Sequence, residues 1–375
     1  MGSIFNKKEY SNKGILYTTV RVEKDVSLRT EYYWHPGVPG FDLKYCFNIT
    51  MNHGEIADEN LTVTCNDERV MVDKTDIIIP EAVRNSTPEI VINIAYKNGD
   101  DELDCDITVP LKGWEITFND DFEGDSLNTD VWKSHRNHLT YDKPDDADTY
   151  KVIDRAQVAP NCYTVSDSML NMLITDDVIY DPINKETYLY SECCLDTRDS
   201  FLQKYGCFTA RISCAKFGGL NTAFWLLPLG KYSTKYTNFK SDDAKWGLSE
   251  IDILETSAAW GDGNRFAITE HYYDYTNNYA HIQEGEYFEV EDKMTDFHVF
   301  TCVWFEDSIY YYVDDKLLRA TFGLQADGVE GETMTEAYII VDVSCYLDNS
   351  WVGKRNFTKE DLPIKAQVDW VRAYK

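Results

Sequence analysis

The sequence predicts an all-β protein, a small Ig-like β-sandwich followed by a larger β-sandwich. Short runs alternating apolar and polar residues recur along the chain, with Gly, Asn, Asp and Pro between them. No stretch repeats apolar residues at helical spacing for more than about three turns. Aromatic residues make up 14%, with 26 tyrosines and 9 tryptophans. They suit strands, and also surfaces that hold sugar rings by their apolar faces.

Taken in order, "LTVTC", "IIIP", "IVINIAY" and "DCDITVP" read as strands before residue 112, with "NGDD" as a turn among them. Together they fit a sandwich of about 100 residues, which assigns 1–112 to a small accessory domain. After "VPLKGWE" the strands lengthen: "GCFTARISCAKF", "TAFWLLPL", "SEIDILET", "RFAITEHYY", "DFHVFTCVWF", "SIYYYVDD", "AYIIVDVSC" and "QVDWVRAYK". These predict one large antiparallel sandwich over 113–375. The boundary rests on this change of texture, since no repeat or low-complexity linker marks it.

A net charge of −29 and the lack of any basic run exclude nucleic acid and anionic membrane as partners. No segment reaches the roughly 18 apolar residues of a membrane span, and "MGSIFNKKEYSNKG" has no apolar export-signal core. The 10 cysteines form no C-x-x-C pair and are expected as buried thiols rather than a disulfide framework. A monomer is expected.

"SEIDILET" (249–256) sets three carboxylates among aliphatics. On a helix Glu250, Asp252 and Glu255 fall near about 0°, 200° and 140° and share no face. On a regular strand Glu250 and Asp252 share one face and Glu255 takes the other. One extra residue after Ile253, a β-bulge, returns Glu255 to its partners and leaves the aliphatics facing the core. Two glutamates on one face are the equipment of glycoside hydrolysis, where retention needs carboxyls about 5–5.5 Å apart. Asp252 between them helps to raise one pKa toward neutrality. The competing reading is a solvated strand face in an acidic chain.

These residues resemble the bulged E-x-D-x-x-E signature of glycoside hydrolase family 16, as in laminarinases. "FNDDFEGDSLNTDVW" (118–132), "YGCFTARI", "GGLNTAFWLLP", "DFHVFTCVWFEDSIYYYVDDKLL" and "QVDWVRAYK" are similar to further segments of that family, in its order, over 113–375. The resemblance implies a concanavalin-like β-jelly roll with a sugar-binding cleft and cleavage of internal β-linkages with retention. It makes Glu250 the nucleophile, Asp252 the assisting acid and Glu255 the general acid/base. Trp246 falls near a family tryptophan under the sugar beside the scissile bond, and His271 near a histidine beside the acid/base. Trp225, Asn221, Arg136 (with its neighbours His135 and Asn137) and Trp351 are further candidates for touching substrate.

Asn221 replaces a laminarinase tryptophan, and "VDVSCYLDNSWVGK" replaces a glycine-rich loop. Fewer aromatic platforms and more hydrogen-bonding groups suit a galactose-containing or decorated glycan. Endo-1,3(4)-β-glucanase is ranked first, as the commonest activity of the bulged motif, with endo-β-galactosidase second. A non-catalytic carbohydrate-binding protein is the rival class. No cofactor is expected for catalysis. The resemblance also implies a structural Ca²⁺ held by Asp369 and Glu123, although Ser168 replaces a usual glycine. The partner expected is a polysaccharide or oligosaccharide, and that substrate class implies an extracellular or cell-surface location.

Overall fold

A computed structural model describes the chain except residues 1–8, 12–13, 24–25, 53–55, 135–138, 229–246, 275–279, 323–334 and 347–349. The chain divides into two compact units: Met1–Glu115 with Asp315–Phe322 and Lys375, and Ile116–Asp314 with Gly323–Tyr374.

In the first unit the strand order is Glu9–Ser11, Gly14–Glu23, Val26–Trp34, Asn48–Met51 in one sheet and Asp101–Pro110, Glu89–Asn98, Leu61–Cys65 in another. A third, small sheet joins Leu43–Cys46, Asp76–Ile79 and Met71–Asp73. The strand Glu89–Asn98 alternates buried and half-buried positions as its period-2 pattern requires, sending Ile90, Ile92 and Ile94 into the core. Arg84 is buried there, its guanidinium donating to the carbonyls of Pro36, Val38 and Phe41.

The second unit is a two-sheet sandwich. One sheet runs in the order Tyr163–Ser166, Met169–Ile174, Ile364–Tyr374, Gly206–Ser213, His298–Trp304, Ser308–Val313, with Ile116–Asp120 also on Ile364–Tyr374. The strands of the other, numbered along the chain, are β1 (Lys151–Val158), β2 (Glu186–Asp196), β3 (Leu220–Pro228), β4 (Gly247–Thr256), β5 (Arg265–Asp274), β6 (Ala280–Glu289) and β7 (Ala337–Cys345). Their spatial order is β1-β2-β7-β3-β4-β5-β6. Phe208, Phe224, Phe266, Phe300, Trp304 and Tyr311 are fully buried.

Among the described strands one pair departs from the antiparallel expectation: β1 runs parallel to β2. Between them the chain adds the hairpin Tyr163–Ser166 and Met169–Ile174 to the opposite sheet. It then returns in its original direction, a crossover that a tight turn cannot make. Asp167 and Ser168 close that hairpin, both at φ +55, the left-handed pair of a type I′ turn. All 10 cysteines are thiols outside any disulfide, and Cys105, Cys162, Cys193, Cys207, Cys214, Cys302 and Cys345 are buried.

Candidate active site

The central strand β4 carries the three acids. Along β3, Leu226 faces Ile251 and Trp225 faces Asp252, but Phe224 faces Leu254, so Ile253 is an extra residue. Along β5 the ladder breaks at the same place, between Asp252 opposite Thr269 and Glu255 opposite Ala267. Directly opposed residues share a face of the sheet. Glu255 therefore joins Asp252 on one face, while Ile251 and Leu254 are fully buried in the core. The inserted residue is Ile253 itself, one position earlier than the sequence suggested, with the same outcome for Glu255.

Oxygens of Glu250 and Asp252 and a ring nitrogen of His271 lie within 4.8 Å of one another. Asp252 Oδ2 is 2.8 Å from His271 Nε2, and Thr269 Oγ1 donates to Glu255 Oε2 at 3.1 Å. Glu250 and Glu255 are half-buried and Asp252 is buried. Burial raises the Asp252 pKa well above the carboxylate range, and the negative charges of Glu255 and Asp342 add to it. Burial also raises Glu255, against the Thr269 hydrogen bond and His271, with Asp342 reinforcing the rise. The set can therefore keep a proton on one carboxyl while another is ionised.

The three acids line a cavity of about 560 Å³ that also takes in Arg155, Glu192, Asn221, Trp225, Asp342 and Tyr346. Trp225 is half-buried and donates through Nε1 to Asp342 Oδ1 at 2.9 Å. Asn221 is buried, and its Oδ1 accepts the Thr256 backbone N–H at 3.0 Å, clamping the end of β4. Trp351 is 48% exposed and stands outside the cavity lining. Trp246 and Arg136, with His135 and Asn137, lie outside the described residues.

Arg155, Glu192, Asp342 and Tyr346 are site residues that the sequence did not single out. Asp342 in "AYIIVDVSC" and Glu192 in "YLYSECCL" carry the signal that exposed "EIDILE", a lone acid in an apolar strand. Asp342 is buried, and burial lifts its pKa to about 6 against hydrogen bonds from Ser344 and Trp225.

The residues expected to hold calcium do not fit it. Asp369 pairs with Arg211, whose guanidinium already supplies the positive charge there, and Glu123 is exposed. Among the described residues the one group of three or more His, Cys, Asp or Glu side chains with metal-ligand proximity is Glu250, Asp252 and His271.

Comparison with known proteins points the same way as the site. The profile of Glycosyl hydrolases family 16 matches residues 161–372. The chain is 26% identical over 301 residues to Glucan endo-1,3-beta-glucosidase A1 of Niallia circulans, covering 73% of this chain and 40% of that protein. It thus spans less than half the length of that curated relative. The solved endo-beta-1,3-glucanase of Pyrococcus furiosus is 25% identical, with a TM-score of 0.53 over 70% of this chain and 94% of that one. An endo-acting O-glycanase of the human gut microbiota shares the fold at 20% identity and a TM-score of 0.54, over 70% of this chain and 91% of that one. With the family profile matched over more than half its length, the chain belongs to glycosyl hydrolases family 16.

Proposed function

We propose that this protein is a retaining endo-β-glycanase acting on internal linkages of a polysaccharide, with β-1,3(4)-glucan ranked first among substrates. The observation that carries the reading is the bulge at Ile253, which gathers Glu250, Asp252 and Glu255 on one face of β4 at the wall of a single cavity. The Glu250 carboxylate attacks the anomeric carbon. Glu255, whose carboxyl burial favours in its protonated form, gives its proton to the departing glycosidic oxygen. Glu255 then takes a proton from water, the water oxygen displaces Glu250, and two inversions leave the configuration retained. Asp252, held by His271, keeps the pair from carrying full charge together.

Glu250→Gln is expected to lower reducing-sugar release by roughly a thousand-fold or more while oligosaccharide binding remains. A wild-type protein that binds glycans and cleaves none of laminarin, lichenan, agar-type galactan, carrageenan or mucin glycans is a lectin, and the proposal fails.

The polar lining supports a second reading, an endo-β-galactosidase. Arg155, Glu192, Asn221 and Asp342 offer hydrogen bonds where a glucanase cleft offers ring faces. Product masses from the same panel separate the two.

A further inference from the structure

We infer that the glycan cleft continues beyond its acids onto an exposed aromatic platform of Trp351, Trp260 and Tyr287, which holds sugar rings several units from the bond that is cut. This rests on the carbohydrate-active reading above and extends it to a site outside the cavity.

The rings form an unbroken series that starts in the cleft. Tyr346 lines the cavity, and its ring centre is 5.5 Å from that of Trp351. Trp351 is 5.5 Å from Trp260, and Trp260 is 5.1 Å from Tyr287, edge to face. Trp351 is 48% exposed and Tyr287 59% exposed. Trp260 between them is half-buried, and a contiguous run of partly exposed rings is the kind of surface that marks a ligand-binding groove.

The strand pairing places Tyr287 on the catalytic face. Tyr287 on β6 opposes Ala267 on β5, and Ala267 opposes Glu255 on β4. Opposed residues share a face, so Tyr287 stands two strand spacings, roughly 10 Å, from the acid/base position.

The platform is also held rigid. Trp260 Nε1 donates to the Trp351 carbonyl at 3.2 Å, and Ser257 Oγ donates to the carbonyl of the fully buried Val352 at 2.7 Å. Fixed rings lose little freedom on binding, as a preorganised sugar surface requires. Continuity with the cleft identifies the occupant as the distal part of the same glycan. Aromatic rings meet the apolar faces of its pyranose units, and the chain's net charge of −29 favours an uncharged ligand.

The test is electrophoresis of the full chain in native gels containing laminarin, lichenan or gastric mucin, with hydrolysis of the same glycans assayed in parallel. Wild type is expected to be retarded in at least one gel. Trp260→Ala and Tyr287→Ala should bind that glycan about five-fold more weakly or worse. Ile183→Ala, which removes a 69% exposed side chain that is no part of the ring series, should bind as wild type does. Tyr287→Ala is the decisive variant, because its exposed ring can be removed with little risk to folding. Wild-type retardation by Tyr287→Ala, or no retardation of wild type in any gel, overturns the platform. Hydrolysis by wild type with unaltered binding in the variants sinks the platform and leaves the hydrolase. Weakened binding in the variants with no wild-type hydrolysis does the reverse.

Discussion

Asp342 shows how one side chain couples stability to chemistry. It accepts hydrogen bonds from Trp225 Nε1 and Ser344 Oγ, and burial lifts its pKa from 3.8 to about 6. At about 1.4 kcal/mol per tenfold change in proton affinity, ionising it in place costs roughly 3 kcal/mol. In the unfolded chain the carboxyl ionises near 3.8, in the fold near 6. The cost is thus absent below about pH 4, grows as pH rises between those values, and is complete above about pH 6. Asparagine keeps an acceptor for Trp225 and removes the charge. Asp342→Asn should melt several degrees above wild type at pH 8, with the gain vanishing toward pH 4. The same variant should move the alkaline limb of kcat/KM to lower pH, because Asp342 helps hold the Glu255 proton. Glu192, Cys194, Glu250, Asp252, Tyr346 and Arg155 share the cavity with it, and His271 faces Asp252. They are unchanged in the variant, so the shift isolates the one charge removed. A Tm difference independent of pH would refute the assignment.

At the scale of the element, β4 is a strand whose function lies in its irregularity. The Asn221 amide closes its far end by taking the buried Thr256 N–H. Asn221→Ala leaves that donor without a partner, at a cost of about 1–3 kcal/mol, and should lower kcat more than it changes KM, since it loosens the strand next to Glu255. Asn221→Asp keeps an acceptor and should restore kcat in part. Equal kcat in the alanine variant would show that the clamp is only structural. Much of this element was legible beforehand, because "EIDILE" admits one arrangement that gathers three acids and buries three aliphatics. What could not be read shares a cause. The parallel pairing of β1 with β2 depends on a route through the opposite sheet. The side chains facing the acids, Arg155, Glu192 and Asp342, lie on β1, β2 and β7, far away in sequence. Trp351, a candidate for touching substrate, stands outside the cavity lining, and the chain at Ser350–Gly353 is tied to the turn after β4 through Ser257 and Trp260, a long-range contact that no local pattern announces.

Over the whole molecule, 65 acidic side chains stand against 36 basic ones. Such an excess repels itself in the folded state, and salt screens the repulsion beyond about 10 Å at 0.1 M. At pH 8 the Tm should rise with added sodium chloride, and the rise should disappear near the isoelectric point of about 4.5, where the net charge is lost. Any divalent cation screens in the same way, so stabilisation by calcium alone does not identify a calcium site. The informative comparison sets calcium against magnesium at equal concentration. General screening treats the two nearly alike, whereas a built oxygen cage prefers the larger ion. Arg211 already neutralises Asp369, so calcium should raise the Tm no more than magnesium does, and a chelator should remove only what either ion added. An increase specific to calcium that keeps growing with the logarithm of its concentration, as binding to the folded state demands, would overturn that account and place a bound ion on this chain.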